Sequence, residues 1–313
     1  MISLVTGAAG FVGSHLCQAL LREGHEVVGS DNLMTGDISN LSTILDDDRF
    51  RFIESDASET LPDLERVDII FHFASPASPI DYAERPLSTL RVNSRGTELC
   101  CELAARHGAR ILYASTSEVY GDPLEHPQRE DYFGNVNSIG PRSCYDEAKR
   151  YGEAVIAAYR RTAALDGRMV RIFNTYGPRM RRHDGRVVPT FINEALSGQP
   201  LTVFGDGTQT RSLCYVDDLI EAILRFAAID DPAYWVVNIG NDEEVTVLEI
   251  ARTISELCGV PMRIRHEPLP ENDPRQRRPD LTRARALLKW RAHTPMSEGL
   301  ARTIAWFKRA VPA

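Results

Sequence analysis

The stretch Ile2-Ser3-Leu4-Val5-Thr6-Gly7-Ala8-Ala9-Gly10-Phe11-Val12-Gly13 decides the fold. Its first five residues are typical of a short buried strand, and Leu16, Leu20 and Leu21 follow with the spacing of a helix. A glycine-rich turn therefore joins a strand to a helix. Glycines in such a turn let the backbone approach a pyrophosphate, which the helix N-terminus then binds. The spacing is G-x-x-G-x-x-G, one residue longer between the first two glycines than G-x-G-x-x-G. The stretch predicts a dinucleotide-binding turn.

An acidic residue follows the second predicted strand. The strand covers 26–30, and Asp31 comes directly after it, at about the distance from the glycines where a carboxylate accepts hydrogen bonds from an adenosine ribose. A negative charge there repels a 2′-phosphate, so the sequence favours NAD over NADP. Asp56 follows the third strand and is a candidate contact for adenine, although an ordinary turn aspartate explains this residue equally well.

Strands and helices alternate along the first part of the chain. We expect strands at 2–6, 26–30, 50–55, 67–74, 110–115 and 168–173, and helices near 12–23, 86–107 and 143–164. This alternation predicts an α/β fold with a parallel sheet covered on both faces. After Phe173, glycines and prolines break the chain into shorter elements, and 235–239 indicates one more buried strand. We expect a first domain at 1–173 with a returning segment at about 212–240, and a smaller domain at 174–211 and 241–313.

The composition excludes several classes of protein. A chain of 313 residues with 43% hydrophobic content can bury a large core as one or two domains. No apolar run approaches the roughly 20 residues of a membrane span, and the net charge of −8 argues against a general nucleic-acid surface. The six cysteines lack metal-ligand spacing, so we expect no metal and reduced, mostly buried thiols.

A tyrosine and a lysine four residues apart indicate acid–base chemistry. Tyr145 and Lys149 would share one face of a helix. A lysine cation beside a phenol favours the phenolate, which lowers a pKa of about 10 and makes a base for an alcohol proton. Taken alone, the pair is more often packing and solvated charge. The preceding segment Ala114-Ser115-Thr116-Ser117-Glu118-Val119-Tyr120-Gly121 adds hydroxyl groups and a carboxyl group, and favours an active site.

Eight motifs in order resemble one enzyme family. They are TGAAGFVGSH, HFASPASP, STSEVYGDP, GPRSCYDEAKR, RIFNTYGPRM, DGRVVPTFI, LTVFGDGTQTR and NDPRQRRPDL. The chain resembles the UDP-glucuronic acid decarboxylases of the extended short-chain dehydrogenases from Ile2 to about Phe307. The resemblance implies a Rossmann-type doubly wound parallel sheet with a smaller α/β C-terminal substrate-binding domain. The family's membrane anchor and stalk are not in this sequence, so a soluble, cytoplasmic, bacterial-type form without membrane contact is expected.

The resemblance also implies roles for individual residues. NAD contacts are expected from Gly7, Gly10, Phe11, Val12, Gly13, Asp31, Asn32, Thr35, Asp56, Ala57, Phe73, Ala74, Tyr145 and Lys149. Catalytic roles are expected for Tyr145, Lys149, Thr116, Ser117, Glu118 and Arg277. Contacts with a UDP-sugar are expected from Asn174, backbone groups around Val187 and Val188, Arg211 as a diphosphate ligand, Tyr215 and Arg277. Arg179, Arg181, Arg182 and Lys308 are interpreted as surface charge.

Ser117 and Glu118 separate the reactions catalysed by relatives with this fold. Related 4,6-dehydratases carry an acidic pair in this segment, and Ser117 cannot replace the acid that protonates the leaving hydroxyl. Related 4-epimerases usually have a small or apolar residue in the place of Glu118. A solvent-facing carboxylate remains the alternative for Glu118, and a charged surface loop for Arg277.

The expected reaction is decarboxylation of UDP-glucuronate to UDP-xylose. Oxidation at C4 gives a β-keto acid, carbon dioxide is lost without a metal, and C4 is reduced again. Release of some UDP-4-keto-xylose before this reduction is also expected. The alternatives are a UDP-glucuronate 4-epimerase and a non-catalytic binder of NAD and nucleotide sugar. The family generally pairs two long helices from each subunit. A homodimer is therefore expected, with Leu87, Leu90, Leu99, Tyr151, Val155 and Tyr159 as either interface or core.

Overall fold

A computed structural model describes residues 1–269 and 276–309. The elements are numbered along the chain. Strands are β1 (Ile2–Thr6), β2 (Glu26–Asp31), β3 (Phe50–Glu54), β4 (Ile69–His72), β5 (Arg110–Thr116), β6 (Gly167–Ile172), β7 (Thr175–Tyr176), β8 (Leu201–Phe204), β9 (Thr210–Arg211), β10 (Cys214–Tyr215), β11 (Val236–Ile239), β12 (Val245–Thr246) and β13 (Ile264–Glu267). Helices are α1 (Phe11–Arg22), α2 (Pro79–Glu84), α3 (Pro86–Asn93), α4 (Arg95–His107), α5 (Ser143–Thr162), α6 (Val187–Leu196), α7 (Val216–Ala227), α8 (Val247–Cys258), α9 (Thr282–Leu288) and α10 (Met296–Arg309).

Seven of the described strands form one parallel sheet. Their order is β11-β6-β5-β4-β1-β2-β3, so the chain reverses direction across the sheet between β1 and β4. Helices flank this sheet, among them α1 against β1, α4 against β4 and α5 against β5. The expected Rossmann-type doubly wound sheet is confirmed. In such sheets ligands bind beyond the carboxyl ends of the two strands between which the strand order reverses. Here these ends are Thr6 of β1 and His72 of β4.

The elements after β6 are shorter and lie in smaller sheets. Strands β8 and β13 pair in parallel, β9 and β12 pair antiparallel, and α6 packs against α8. Strand β11 returns to the large sheet and pairs with β6. Among the described residues, no helix combines the length and the apolar character that crossing a membrane requires. The six cysteines are free thiols, five buried and Cys258 half-buried, as expected.

The expected single helix at 86–107 is wrong. Two helices, α3 and α4, meet at Ser94, whose φ of −97° and ψ of −83° depart from helical values. The bend brings Gly96 against the backbone of Ala57, where an added Cβ would lie 3.1 Å from the carbonyl oxygen. Helix α2, just before α3, was not expected. The strand expected at 67–74 is shorter, Ile69–His72, and the other expected boundaries differ by one or two residues.

Candidate active site

The glycine-rich turn forms a close backbone contact that needs glycine. A Cβ on Gly13 would lie 1.9 Å from the carbonyl oxygen of Gly7, and Gly7 itself has a φ of +73°. Gly10 is the N-cap of α1 and provides no side-chain cap, so the first backbone N–H groups of the helix remain as donors at the cleft. This geometry suits the diphosphate of a dinucleotide.

One cleft collects the residues expected to bind NAD. Its lining includes Gly7, Gly10, Phe11, Val12, Gly13, Asp31, Asn32, Thr35, Asp56, Ala57, Phe73 and Ala74. The residues from Gly7 to Gly13 follow β1. Those from Asp31 to Ala57 lie at or after the ends of β2 and β3, and Phe73 and Ala74 follow β4. Parallel strands therefore deliver separate segments to one edge of the sheet.

Asp31 is held by the backbone of the turn. Its carboxylate accepts hydrogen bonds from the N–H groups of Ala9 at 2.9 Å and Leu33 at 2.8 Å. Burial raises the pKa of Asp31, and these hydrogen bonds lower it only in part. Asp56 lines the same cleft and also accepts hydrogen bonds from Ser58 and Asn32. It is thus both a turn aspartate and a cleft residue.

Tyr145 and Lys149 lie together on the buried face of α5. The Lys149 Nζ is 5.8 Å from the centre of the Tyr145 ring and donates a hydrogen bond to the carbonyl oxygen of Ala114 at 2.8 Å. Burial raises the pKa of Tyr145 to about 12, although a hydrogen bond with Thr116 lowers it. Burial also lowers the pKa of Lys149 to about 7. The sequence predicted a lowered phenol pKa, whereas here burial outweighs the hydrogen bond with Thr116 and the charge of Arg186, and the pKa is raised.

Glu118 lies at the centre of a buried ionic cluster. Its carboxylate accepts hydrogen bonds from Arg277, at 2.5 Å for Nη2–Oε2, and from Arg142 at 2.6 Å. Burial favours a raised pKa for Glu118, but the guanidinium groups of Arg277 and Arg142 outweigh burial and hold the pKa below its usual value. The Glu118 N–H donates to the hydroxyl of Thr116, which also contacts Tyr145. Glu118 and Arg277 are both buried. The alternatives of a solvent-facing carboxylate for Glu118 and a charged surface loop for Arg277 are therefore wrong.

Ser117 follows Thr116 and is also buried. Both residues belong to the junction between β5 and a short 3₁₀ helix at Ser117–Tyr120, and the Thr116 side chain caps that helix. The turn places Thr116 and Glu118 on the side that faces α5, where Arg142 and Tyr145 lie. The local fold therefore delivers hydroxyl and carboxyl groups to the Tyr145–Lys149 pair.

The residues expected to bind the UDP-sugar lie in different surroundings. Arg211 is half-buried and close enough to lower the pKa of Glu118. Asn174 has a buried Nδ2 atom without a hydrogen-bond partner. Val187 and Val188 form the first turn of α6, whose N-cap provides no side-chain hydrogen bond. Tyr215 belongs to β10, which begins with a hydrogen bond from the Cys214 N–H to the carbonyl oxygen of Asn174, and its ring lies against Tyr176 and under the guanidinium of Arg302.

Comparisons with known proteins decide the family. Residues 3–240 match the NAD dependent epimerase/dehydratase family. UDP-glucuronic acid decarboxylase 1 of Danio rerio is 48% identical over 308 residues, covering 98% of this chain and 72% of the relative. UDP-glucuronic acid decarboxylase 5 of Arabidopsis thaliana is 49% identical over 298 residues, covering 95% and 86%. The chain belongs to the UDP-glucuronic acid decarboxylases of this family.

A solved structure in the same family shares the whole fold. The UDP-glucuronic acid 4-epimerase of Bacillus cereus, in complex with UDP-glucuronic acid and NAD, superposes with a TM-score of 0.89. It is 29% identical and covers 99% of this chain and 100% of the epimerase. The family is NAD dependent, and the glycine-rich turn and Asp31 of this decarboxylase-family chain fit that cofactor.

Several residues at the site were not anticipated from the sequence. Arg142 binds Glu118, Asp146 lies beside Arg142, and the ring of Tyr82 stacks on Tyr145 at 5.1 Å. The motif GPRSCYDEAKR contained a usable signal, because Arg142, Asp146 and Lys149 recur at helical spacing around Tyr145. Tyr82 had no such signal, since it comes from α2.

The basic residues after β7 also differ from expectation. Arg179 and Arg181, interpreted as surface charge, line the NAD cleft together with Arg186. Arg182 donates a hydrogen bond to the carbonyl oxygen of Phe307, and Lys308 is exposed as expected. Of the motif NDPRQRRPDL, the residues before Gln276, Arg275 among them, lie outside the described residues, as does the end of the expected second domain at 310–313.

Proposed function

We propose that this chain converts UDP-glucuronate into UDP-xylose by oxidation at C4, loss of carbon dioxide and re-reduction at C4, with some UDP-4-keto-xylose released. The observation that supports this most strongly is the buried pairing of Glu118 with Arg277 beside Tyr145. The near-full-length similarity to UDP-glucuronic acid decarboxylases points to the same reaction.

We assign the first proton transfer to Tyr145. The glycine-rich turn and Asp31 would hold NAD, which when bound would supply a hydride acceptor and a positive charge that favours the phenolate. Thr116 orients the phenol, and Lys149 is fixed by the carbonyl oxygen of Ala114. Tyr145 takes the C4 hydroxyl proton in the forward direction and returns it when C4 is reduced. The stacked ring of Tyr82 covers one face of the phenol and excludes water from it.

The ionic cluster handles the sugar carboxylate. Arg277 and Arg142 carry the positive charge that a carboxylate requires, and arginine forms the most directional hydrogen bonds with such a group. Once C4 is a ketone, the carboxylate is β to a carbonyl, and its loss leaves an electron pair in an enolate that positive groups stabilise. Glu118, kept ionised by the two arginines, orients them. Ser117 places a hydroxyl group in the same region, but a serine cannot act as the acid that a dehydratase requires.

We assign the nucleotide end to residues from the second half of the chain. Arg211 and the first N–H groups of α6 around Val187 and Val188 offer donors for a diphosphate. The unpartnered Nδ2 of Asn174 provides another donor. Tyr215 is the weakest of these assignments because its ring packs against Tyr176. We propose the division into an NAD-binding domain at 1–173, completed by 212–240, and a nucleotide-sugar domain at 174–211 and 241–313.

We also propose a cytoplasmic homodimer. Helices α3 and α5 pack against each other, and Leu87 and Tyr151 on them remain 64% and 47% exposed. Leu90 is also exposed, Leu99 and Tyr159 are half-buried, and Val155 belongs to the core. The exposed apolar side chains would pair with the same helices of a second copy. Sedimentation at micromolar concentration tests this assembly, and a monomer there would contradict it.

A second candidate function is epimerisation of UDP-glucuronate at C4. The fold similarity to the Bacillus cereus epimerase favours it, whereas 48% identity to a decarboxylase favours decarboxylation. Mass spectrometry after incubation with UDP-glucuronate and NAD separates the two. Decarboxylation lowers the product mass by one carbon dioxide, epimerisation leaves the mass unchanged but changes the sugar, and a non-catalytic binder leaves the substrate intact.

A further inference from the structure

A second buried carboxyl group lies next to Glu118. The Asp146 side chain belongs to α5, and the residue is 7% exposed. Its Oδ2 atom is 3.9 Å from Nε of Arg142, and its Oδ1 atom is buried without a hydrogen-bond partner. Arg142 in turn donates a hydrogen bond to Glu118 at 2.6 Å. One guanidinium group therefore lies between two buried carboxyl groups.

Charged and titratable groups face Asp146 from several elements. Arg142 is the N-cap residue of α5, and Cys144, Tyr145 and Glu147 lie on α5 itself. Glu118 comes from the 3₁₀ helix after β5, Arg277 from the segment before α9, and Tyr82 from α2. Burial and then the negative charge of Glu118 raise the pKa of Asp146 to about 7, against the opposing effect of Arg142 and Arg277. Glu118 has a lowered pKa in the same cluster. Glu118 pairs with two guanidinium groups, whereas Asp146 has one at 3.9 Å and a buried Oδ1 atom without a hydrogen-bond partner among the described residues, so a proton on this pair is more favourable on Asp146.

We propose, on the basis of the function proposed above, that Asp146 takes up a proton when the carboxylate of UDP-glucuronate enters the cluster and gives it up when carbon dioxide leaves. A further anion beside Glu118 makes an ionised Asp146 less favourable. The unpartnered Oδ1 atom can carry the proton without breaking an existing hydrogen bond. Asp146 is thus a positioning residue, which sets the charge around Arg142 rather than contacting the sugar.

The proton balance of the reaction fits this role. Decarboxylation replaces a carboxylate by hydrogen and consumes one proton. The bond from C5 to the carboxyl carbon breaks, its electron pair enters the enolate, and carbon dioxide leaves uncharged. C5 then takes a proton from a water molecule in contact with it, and the stored proton of Asp146 replaces the one that this water gave up, because Asp146 itself does not contact the sugar. One negative charge is carried first by the substrate carboxylate, then by the enolate and finally by ionised Asp146. The number of negative charges in the cluster therefore stays constant.

Proton uptake on binding tests the proposal directly. The parent protein for this test is the Tyr145→Phe variant with NAD, because its turnover is blocked. Each sugar nucleotide is titrated into it by calorimetry near pH 7.5, in buffers of different ionisation enthalpy. UDP-glucuronate should bind with uptake of about 0.5 to 0.8 proton per site, and UDP-xylose, which lacks the carboxylate, with none. Adding Asp146→Asn should abolish the uptake. Glu147→Gln is the matched control, because this neighbouring carboxyl is more exposed, and the uptake should persist.

The pH dependence of affinity provides a second readout. Above about pH 7 the dissociation constant of UDP-glucuronate should rise by up to tenfold per pH unit in the parent and stay flat in Asp146→Asn. Equal uptake with both sugars, or unchanged uptake in Asp146→Asn, would overturn the proposal. The comparison of the two sugars in the parent stands even if Asp146→Asn does not fold. Carbon dioxide release by the unmutated enzyme, combined with no proton uptake when UDP-glucuronate binds to the parent, would refute only the role of Asp146. Failure to bind or decarboxylate UDP-glucuronate would refute the proposed function as well.

Discussion

Glu118 and Arg277 are separated by 159 positions in the chain and form a buried, two-point ion pair. Both carboxylate oxygens of Glu118 accept hydrogen bonds from the guanidinium group. Removing two charges from water is costly, so a buried ion pair is weak evidence for stabilisation of the fold. The position of this pair beside Thr116 and Tyr145 favours a role in the reaction instead.

Removing one partner of this pair should uncouple the reaction. Glu118→Gln and Arg277→Ala should still oxidise the substrate at C4, visible as nicotinamide absorbance when UDP-glucuronate is added. Release of carbon dioxide should fall at least 10²-fold, the typical loss for a positioned charged group. Arg278→Ala is the control, because the neighbouring Arg278 pairs with Glu244 at 3.6 Å outside the cluster. If the variants bind substrate but give no absorbance change, these residues act in the first step and the assignment is wrong.

Removing the Tyr145 hydroxyl should stop the chemistry and leave binding intact. Tyr145→Phe keeps the ring that stacks on Tyr82, so affinity for NAD and UDP should stay close to that of the unmutated protein. Turnover should fall by about 10²- to 10⁴-fold, as expected for a lost acid or base. Tyr234→Phe, on an exposed tyrosine, should retain full activity. Near-normal turnover of Tyr145→Phe would show that Tyr145 is not the base.

The buried Lys149 should make stability depend on pH in a known direction. Its pKa is about 7 in the folded protein and about 10.4 in an unfolded chain. The unfolded chain binds more protons between these values, so the cost of burying the charge is complete below pH 7 and fades as pH rises. The stability of Lys149→Met relative to the unmutated protein should therefore drop by about 2 to 3 kcal/mol between pH 6 and pH 9.

Denaturant unfolding with saturating NAD at both pH values measures this change. Lys308→Met, which alters an exposed lysine on α10, is the control, and its relative stability should be the same at the two pH values. A relative stability of Lys149→Met that is constant or rises with pH would contradict the burial cost assigned to Lys149.

The close contact in the glycine-rich turn should be essential for NAD binding. In Gly13→Ala the new Cβ would meet the carbonyl oxygen of Gly7 at 1.9 Å, so the turn must move. We expect loss of NAD binding in equilibrium dialysis. Gly108→Ala is the control, because its Cβ meets open space and only the positive φ is strained, at a cost of about 1 kcal/mol. Retention of normal NAD affinity by Gly13→Ala would show that the turn does not hold the diphosphate.

The sequence was sufficient for the parts of the structure that depend on local pattern. The strand, glycine turn and helix at the N-terminus follow from the spacing of apolar residues and glycines, and all twelve NAD contacts expected outside α5 line one cleft. Parallel strands explain why these residues meet, because each segment lies at the carboxyl end of a strand and these ends share one edge of the sheet; their contact with NAD stays a prediction. The position of Lys149 relative to Tyr145 follows in the same way from helical spacing.

The rest depended on tertiary contacts that no local pattern records. The bend at Ser94 follows from the close approach of Gly96 to Ala57, two segments that are distant in the chain. The pKa of Tyr145 is raised because residues from several elements bury the phenol, and the spacing of Tyr145 and Lys149 does not record that burial. Asp146 escaped notice since its significance comes from Arg142 and Glu118 together.

The fate of the substrate carboxyl carbon tests the central claim most directly. UDP-glucuronate labelled at that carbon is incubated with the unmutated enzyme and NAD, and the headspace and the nucleotide fraction are analysed for label. We predict that the label leaves as carbon dioxide while UDP-xylose, with some UDP-4-keto-xylose, forms in equal amount, and that Tyr145→Phe releases little. Label that stays in a UDP-hexuronate, whether substrate or 4-epimer, would contradict the decarboxylase assignment.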